Sequence, residues 1–191
     1  IGKEAGLQSQ NIESIAIGSL TGRIDQSLNA IAIGNSAGQT YQSRAAVSVG
    51  HLAGNLRQGQ VAVAIGTSSG QTTQGDQSIA IGGFAGYNNL GKNSVAIGAQ
   101  AGLFNSTNVE NAIMINSTGT ALNADISHAL YIKPVRPLHN LDVLQYNSTT
   151  GEITYSSKLT ITDASFTNVD ISNNLNVDNK LVVQGDVSLN G

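Results

Sequence analysis

Among side chains able to ligate a metal or move a proton, the sequence offers three histidines, His51, His128 and His139, and no cysteine. No spacing such as His-x-x-x-His puts two imidazoles on one element, so a metal site has no ligand pair to grow from. The carboxylates of Glu13, Asp25, Asp76 and Glu110 fall in different columns of the repeat described below. They form no ladder and no close pair, which general acid–base catalysis requires. Without Cys there is neither a disulfide framework nor a thiolate. The expectation is a protein that is not an enzyme and takes no metal and no cofactor.

Charge narrows the partners. The 191 residues carry nine Lys or Arg against twelve Asp or Glu, for a net charge of −3, and the basic residues are scattered singly. Nothing tracks a phosphate backbone or an anionic lipid surface, so neither nucleic acid nor membrane insertion is expected. The longest apolar runs are about five residues, far below a membrane span. Charged residues are 11% and aromatic residues 4%, with no Trp. A core of large anchors is therefore out of reach, and short strands with tight turns are the better fit.

The elements that must hold these residues are set by a repeat. A Gly closes each short aliphatic run at Gly2, Gly18, Gly34, Gly50, Gly66, Gly82 and Gly98, a period of 16 without a slip. A second Gly follows four residues later each time, from Gly6 to Gly102. Ahead of the first Gly stand two β-branched columns: Ile15, Ile31, Val47, Val63, Ile79, Val95, and Ile17, Ile33, Val49, Ile65, Ile81, Ile97. Between them lies a small residue, Ala16, Ala32, Ser48, Ala64, Ala80 or Ala96. Side chains alternate along a strand, so the small column and the β-branched columns face opposite ways. The reading takes the β-branched columns as the roll core and the small column as a flat face for packing against other chains.

A further column repeats Gln10, Gln26, Gln42, Gln58 and Gln74. Stacked amides can bond from rung to rung; a polar turn exposed to water is the alternative. Turns stacked ~4.8 Å apart would make a parallel β-solenoid roughly 33 Å long. An altered turn follows at Ile113-Met114-Ile115, with Asn116 in place of Gly after an 18-residue step, and the roll is expected to end near residue 119. Two buried β-branched side chains per turn contribute ~1.5–3 kcal/mol each, thin against the entropy of ordering 16 residues. An oligomer is expected to supply the rest.

The in-register runs Asn29-Ala30-Ile31-Ala32-Ile33-Gly34 and Asn93-Ser94-Val95-Ala96-Ile97-Gly98 resemble the head repeats of trimeric autotransporter adhesins of the YadA type. That resemblance, over about residues 1–119, implies a homotrimer of left-handed parallel β-rolls. The hexapeptide β-helix of acyltransferases is the strongest enzymatic alternative. It fails because its coils run in multiples of six.

From residue 120 the pattern changes. Val143 to Tyr146 and Ile153 to Tyr155 flank Ser-Thr-Thr-Gly and read as a hairpin, with Gly151 in the left-handed turn position. This 120–157 segment resembles the connector of tail-fibre and large-DNA-virus surface proteins. From 158 to 191, apolar-x-apolar pairs recur every five or six residues between Asp, Asn and Gly breaks. They are similar to the intertwined β-shafts of phage and virus fibres. The expected fold is thus all-β: a β-roll over 1–119, a hairpin connector and an intertwined β-shaft. Because Ile1-Gly2 is already inside a repeat, the sequence reads as a piece of a longer chain.

These readings converge on a fibre or adhesin segment, extracellular or on a virion surface, that projects and attaches to a host glycan or protein. Arg23, His51, Arg57 and Tyr87 interrupt the polar loops and are the candidate receptor contacts. Leu52, Phe84 and Phe104 share those loops, the two Phe more as interface packing than as receptor contact. A spacer without a receptor is the second reading. An ice-binding solenoid is the third, disfavoured by the lack of arrayed Thr; freezing-point hysteresis tests it. Asn-x-Ser/Thr acceptors at Asn105, Asn116 and Asn147 are candidate glycosylation sites.

Overall fold

The computed structural model describes residues 1–104, 109–135 and 143–156, which contain strands and turns and no helix. It divides into two compact units, Ile1–Pro137 and Leu138–Gly191. The first is a two-sided parallel β-solenoid. Successive coils supply one strand to each side: β1 (Ile15–Ile17) and β2 (Ile24–Gln26), β3 (Ile31–Ile33) and β4 (Thr40–Gln42), β5 (Val47–Val49) and β6 (Leu56–Gln58), β7 (Val63–Ile65) and β8 (Thr72–Gln74), β9 (Ile79–Ile81) and β10 (Asn88–Leu90). Strands β11 (Val95–Ile97), β12 (Ile113–Asn116) and β13 (Leu130–Lys133) continue the first side alone. The odd-numbered strands and β12 form an eight-stranded sheet; β2, β4, β6, β8 and β10 form a five-stranded one. Every rung is in register at the repeat, with Ile15 beside Ile31 and Ile31 beside Val47.

Glycine ends the strands because nothing else fits. Gly34 has φ 124°, and a Cβ there would lie 2.6 Å from the carbonyl oxygen of Gly50 on the next rung. At the second column, Gly38 has φ 49°, and an added Cβ would lie 2.7 Å from the Gln42 Oε1. Left-handed backbone is not confined to glycine. It recurs on each coil at three other columns, such as Leu52, Arg57 and Val61. These residues are held there by rung-to-rung bonds: the Leu52 N–H donates to Asn35 O and the Val61 N–H to Arg44 O, both at 3.0 Å.

The two faces of the first sheet are the reverse of the sequence expectation. Ala16, Ala32, Ser48, Ala64, Ala80 and Ala96 are buried inside the roll, so they are not an interface between chains. The columns Ile15, Ile31, Val47, Val63, Ile79, Val95 and Ile17, Ile33, Val49, Ile65, Ile81, Ile97 point out and are partly or largely exposed; they are not the roll core.

Glutamine is the physical reason. Gln26, Gln42, Gln58 and Gln74 are buried. Each reaches across the interior, its Nε2 donating to the backbone carbonyl of Ile15, Ile31, Val47 or Val63 in the facing sheet at 2.7 to 2.8 Å. One glutamine side chain sets the separation of the sheets, and the space left opposite holds only Ala or Ser. The amides also form the rung-to-rung ladder: Gln26 Nε2 donates to Gln42 Oε1 at 3.1 Å, Gln42 to Gln58 at 3.1 Å and Gln58 to Gln74 at 3.3 Å. Ser48 Oγ joins it, donating to Gln58 Oε1 at 2.6 Å. Of the two readings of the Gln column, the buried ladder is the observed one for these four residues, while Gln10 is exposed.

The roll runs past residue 119. β13 stacks in parallel on β12, Ile113 beside Leu130 and Met114 beside Tyr131. Over these last coils the interior turns apolar. Leu90 takes the place of Gln, Met114 takes the place of Ala, and both pack in one cluster with Val109, Leu122 and Tyr131. Asn116 ends the Gly column, its Nδ2 donating to Ala99 O at 2.7 Å and to Thr120 O at 2.6 Å.

In the second unit, β14 (Val143–Tyr146) and β15 (Ile153–Ser156) pair antiparallel. Asn147 Oδ1 accepts the Thr149 and Thr150 N–H groups in the turn, and Gly151 has φ 74°. The β-shaft expected over 158–191 lies outside the described residues.

Candidate interaction surface

The broadest feature of the molecule is its outward aliphatic face. Two parallel rows of Ile, Val and Leu run along all eight strands from Ile15 to Ile132. At ~4.8 Å per strand they span roughly 34 Å. Ile33 is 37% exposed and Ile97 40% exposed. Sixteen such side chains amount to on the order of 1,000 Å² of apolar surface, more than a monomeric protein leaves uncovered. Burial favours covering it by ~25 cal/mol per Å². The stacking does this: in-register parallel pairing places every β-branched residue directly over its like, so the rows are straight and the face is regular.

Four inward columns explain why the β-branched rows face outward. Besides the small column of the first sheet, Ala30, Ala46, Ala62 and Ala37, Ala53, Ala85 are fully buried, and the fourth column is Gln. An interior lined by three small columns is thin, and a thin interior leaves the large side chains outside. That signal is present in the sequence.

The opposite, five-stranded side is polar. Arg57 and Tyr41 stand exposed on adjacent rungs at the left-handed middle positions of β6 and β4. Arg23, just before β2, is paired with Glu4 at 2.8 Å. Tyr87 precedes β10 on this same side. His51 lies apart from these three, exposed in the turn that follows the aliphatic strand β5. The structure thus collects Arg23, Arg57 and Tyr87 on one side and leaves His51 on another corner. Tyr41, 54% exposed, was not singled out from the sequence, where only its place in a column with Asp25, Arg57 and Thr73 marks it.

Tyr87 also belongs to an aromatic cluster. Its ring centroid is 5.7 Å from that of Phe84 and 5.9 Å from that of Phe104, the second pair edge-on at 88°. With Leu103 and Gln100 these rings line an open depression of about 320 Å³. Phe84 and Phe104 pack against Tyr87 within the chain and remain 43% and 55% exposed.

The acceptor sites separate. Asn116 is 2% exposed, and its Nδ2 is committed to two backbone carbonyls. It is not a glycosylation site in the folded protein, because the amide nitrogen that a glycan would occupy is buried in the end of the roll. Asn147 is exposed in the turn before β15. Asn105 lies outside the described residues. Among the described residues no three His, Asp or Glu side chains are grouped to hold a metal ion. Comparison of the chain with family models, curated proteins and solved structures gives no match.

Proposed function

We propose that this chain is a segment of a homotrimeric fibre on a virion or cell surface, which projects outward and attaches to a host glycan or protein. The observation that carries the proposal is the pair of aliphatic rows, since a straight apolar face of this size on an extended solenoid calls for an identical partner. A second copy offers the same regular rows at the same spacing, so parallel association covers the face along its whole length. The stoichiometry of three comes from the likeness of the repeat to trimeric adhesin heads. With the aliphatic faces turned to a common axis, the polar sides bearing Arg23, Tyr41, Arg57 and Tyr87 face outward. There they are free to meet a receptor. The antiparallel β14–β15 pair serves as the connector.

Light scattering of the purified protein tests the assembly: a trimeric mass is expected, and a monomeric mass overturns it. Replacing Ile33, Ile65 and Ile97 by Asp together should dissociate the trimer, because each Asp would face the axis unpaired. Attachment is a separate measurement. Binding to a glycan array or to host cells should be reduced by Arg57→Ala and Tyr87→Ala, and absence of any binding by the parent protein favours the spacer reading.

A further inference from the structure

The solenoid has two kinds of interior under one pattern of backbone bonding. Along the first sheet the same bond recurs at the same length: the N–H groups of Gly34, Gly50, Gly66, Gly82 and Gly98 each donate to the carbonyl 17 residues earlier at 2.8 Å. The return bonds from Ile31, Val47, Val63, Ile79, Val95 and Ile113 measure 2.8 to 2.9 Å throughout. Backbone bonding along this sheet therefore gives no coil an advantage. The interior does. Coils up to Gln74 enclose only Ala, Ser, Thr and the Gln ladder, whereas the coils beyond enclose Leu90, Val109, Met114 and Leu122.

Buried glutamine amides exchange bonds to water for bonds within the protein, at small net gain, while buried aliphatic side chains gain in proportion to area. A coil of a solenoid touches only its neighbours, so stability is summed locally and opening starts where the sum is least. We infer that the roll is a graded zipper: the cluster around Leu90 and Met114 is a clamp, and the glutamine coils open before it. The aliphatic rows run along every first-sheet strand, so association of chains adds a similar amount to each coil and leaves the gradient in place. The inference thus stands apart from the assembly proposed above.

The zipper gives a fibre a graded response to load. Under tension the glutamine coils would release before the apolar ones rather than the roll failing as a block, and each released coil would restack on a folded neighbour. The closed ladder guides the return. Gln42 Nε2 has acceptors in Ile31 O, Ala46 O, Ser48 Oγ and Gln58 Oε1, all supplied by coils that are still folded or refold with it.

Hydrogen exchange of the full-length protein, resolved by peptide, tests this. Amides of Ile31, Val47 and Val63 should exchange about tenfold or more faster than those of Val95 and Ile113. Uniform protection overturns the inference. Simple fraying of a chain end would give a gradient too, so the discriminating variant replaces Gln26, Gln42, Gln58 and Gln74 by Leu together, the residue that the column already carries at Leu90. Slowed exchange at Ile31 and Val47, with the gradient flattened, is expected; an unchanged gradient overturns the inference. If that variant does not fold, Met114→Ala gives the converse reading. It should speed exchange at Val95 and Ile113 and leave Ile31 unchanged, and equal acceleration everywhere overturns the zipper.

Discussion

The coils from β1 to β8 and those from β9 to β13 stack their first-sheet strands in parallel in the same way, yet they are filled by opposite chemistry. In the first group a glutamine spans the interior and ties one sheet to the other; in the second a leucine stands in the same column and a methionine replaces the facing alanine. The lesson is that a parallel stack of three-residue strands tolerates either filling as long as volume is matched. What changes between the regions is the source of cohesion: geometry-demanding amide bonds in one, area-dependent apolar burial in the other.

Substitutions that exchange the two fillings should break the contrast, beginning with the apolar end. Met114→Ala removes a long apolar side chain from a fully buried site and should cost about 2–5 kcal/mol. A fall in the thermal midpoint reads it. The mirror change, Ala64→Met, forces the same side chain into the thin region. There the Gln74 amide already fills the space above Gly70, where an added Cβ would lie 2.4 Å from Gln74 Oε1 and 3.2 Å from Ala64 Cβ. The expected loss is about 1–3 kcal/mol by denaturant titration.

A single break in the ladder comes next. Gln58→Leu leaves Gln74 Oε1 without its donor and removes the Nε2 that serves Val47 O and Ala62 O. Stranding buried polar groups costs about 1–3 kcal/mol. Replacing all four glutamines by Leu leaves no amide oxygen of the ladder stranded and adds apolar area to each of these coils, so it should stabilise them, and a loss four times that of the single change would contradict it. The smallest effect has the opposite sign. Val61, β-branched and exposed, sits at φ 57° in a column where Asn29, Asn93 and Asn111 share that conformation. Val61→Asn should therefore stabilise by roughly 1 kcal/mol, visible as a higher unfolding midpoint.

Much of this was legible in the residues themselves. The period, the strand positions from Ile15 to Ile97, the glycines that must turn and the Gln column all follow from side-chain type and spacing, because β-branched runs, glycine and amides each have few backbone settings open to them. The receptor candidates were partly legible: Arg23, Arg57 and Tyr87 do reach one side, while His51 does not join them and Tyr41 went unnoticed. Asn116 looked like any other acceptor until its amide was seen to close the end of the roll.

The sequence alone therefore determined that two faces exist on each first-sheet strand and which residues share each. Alternation has a period of two and carries no sign, so it cannot say which face is inside. Only the tertiary structure decided that. The distance between the sheets is set by a glutamine reaching from one to the backbone of the other, and at that distance alanine fits and isoleucine does not. The same spacing also carries the roll on to Leu130–Lys133, since once Met114 and Tyr131 fill the interior a further strand can stack even where the repeat is no longer 16 residues long.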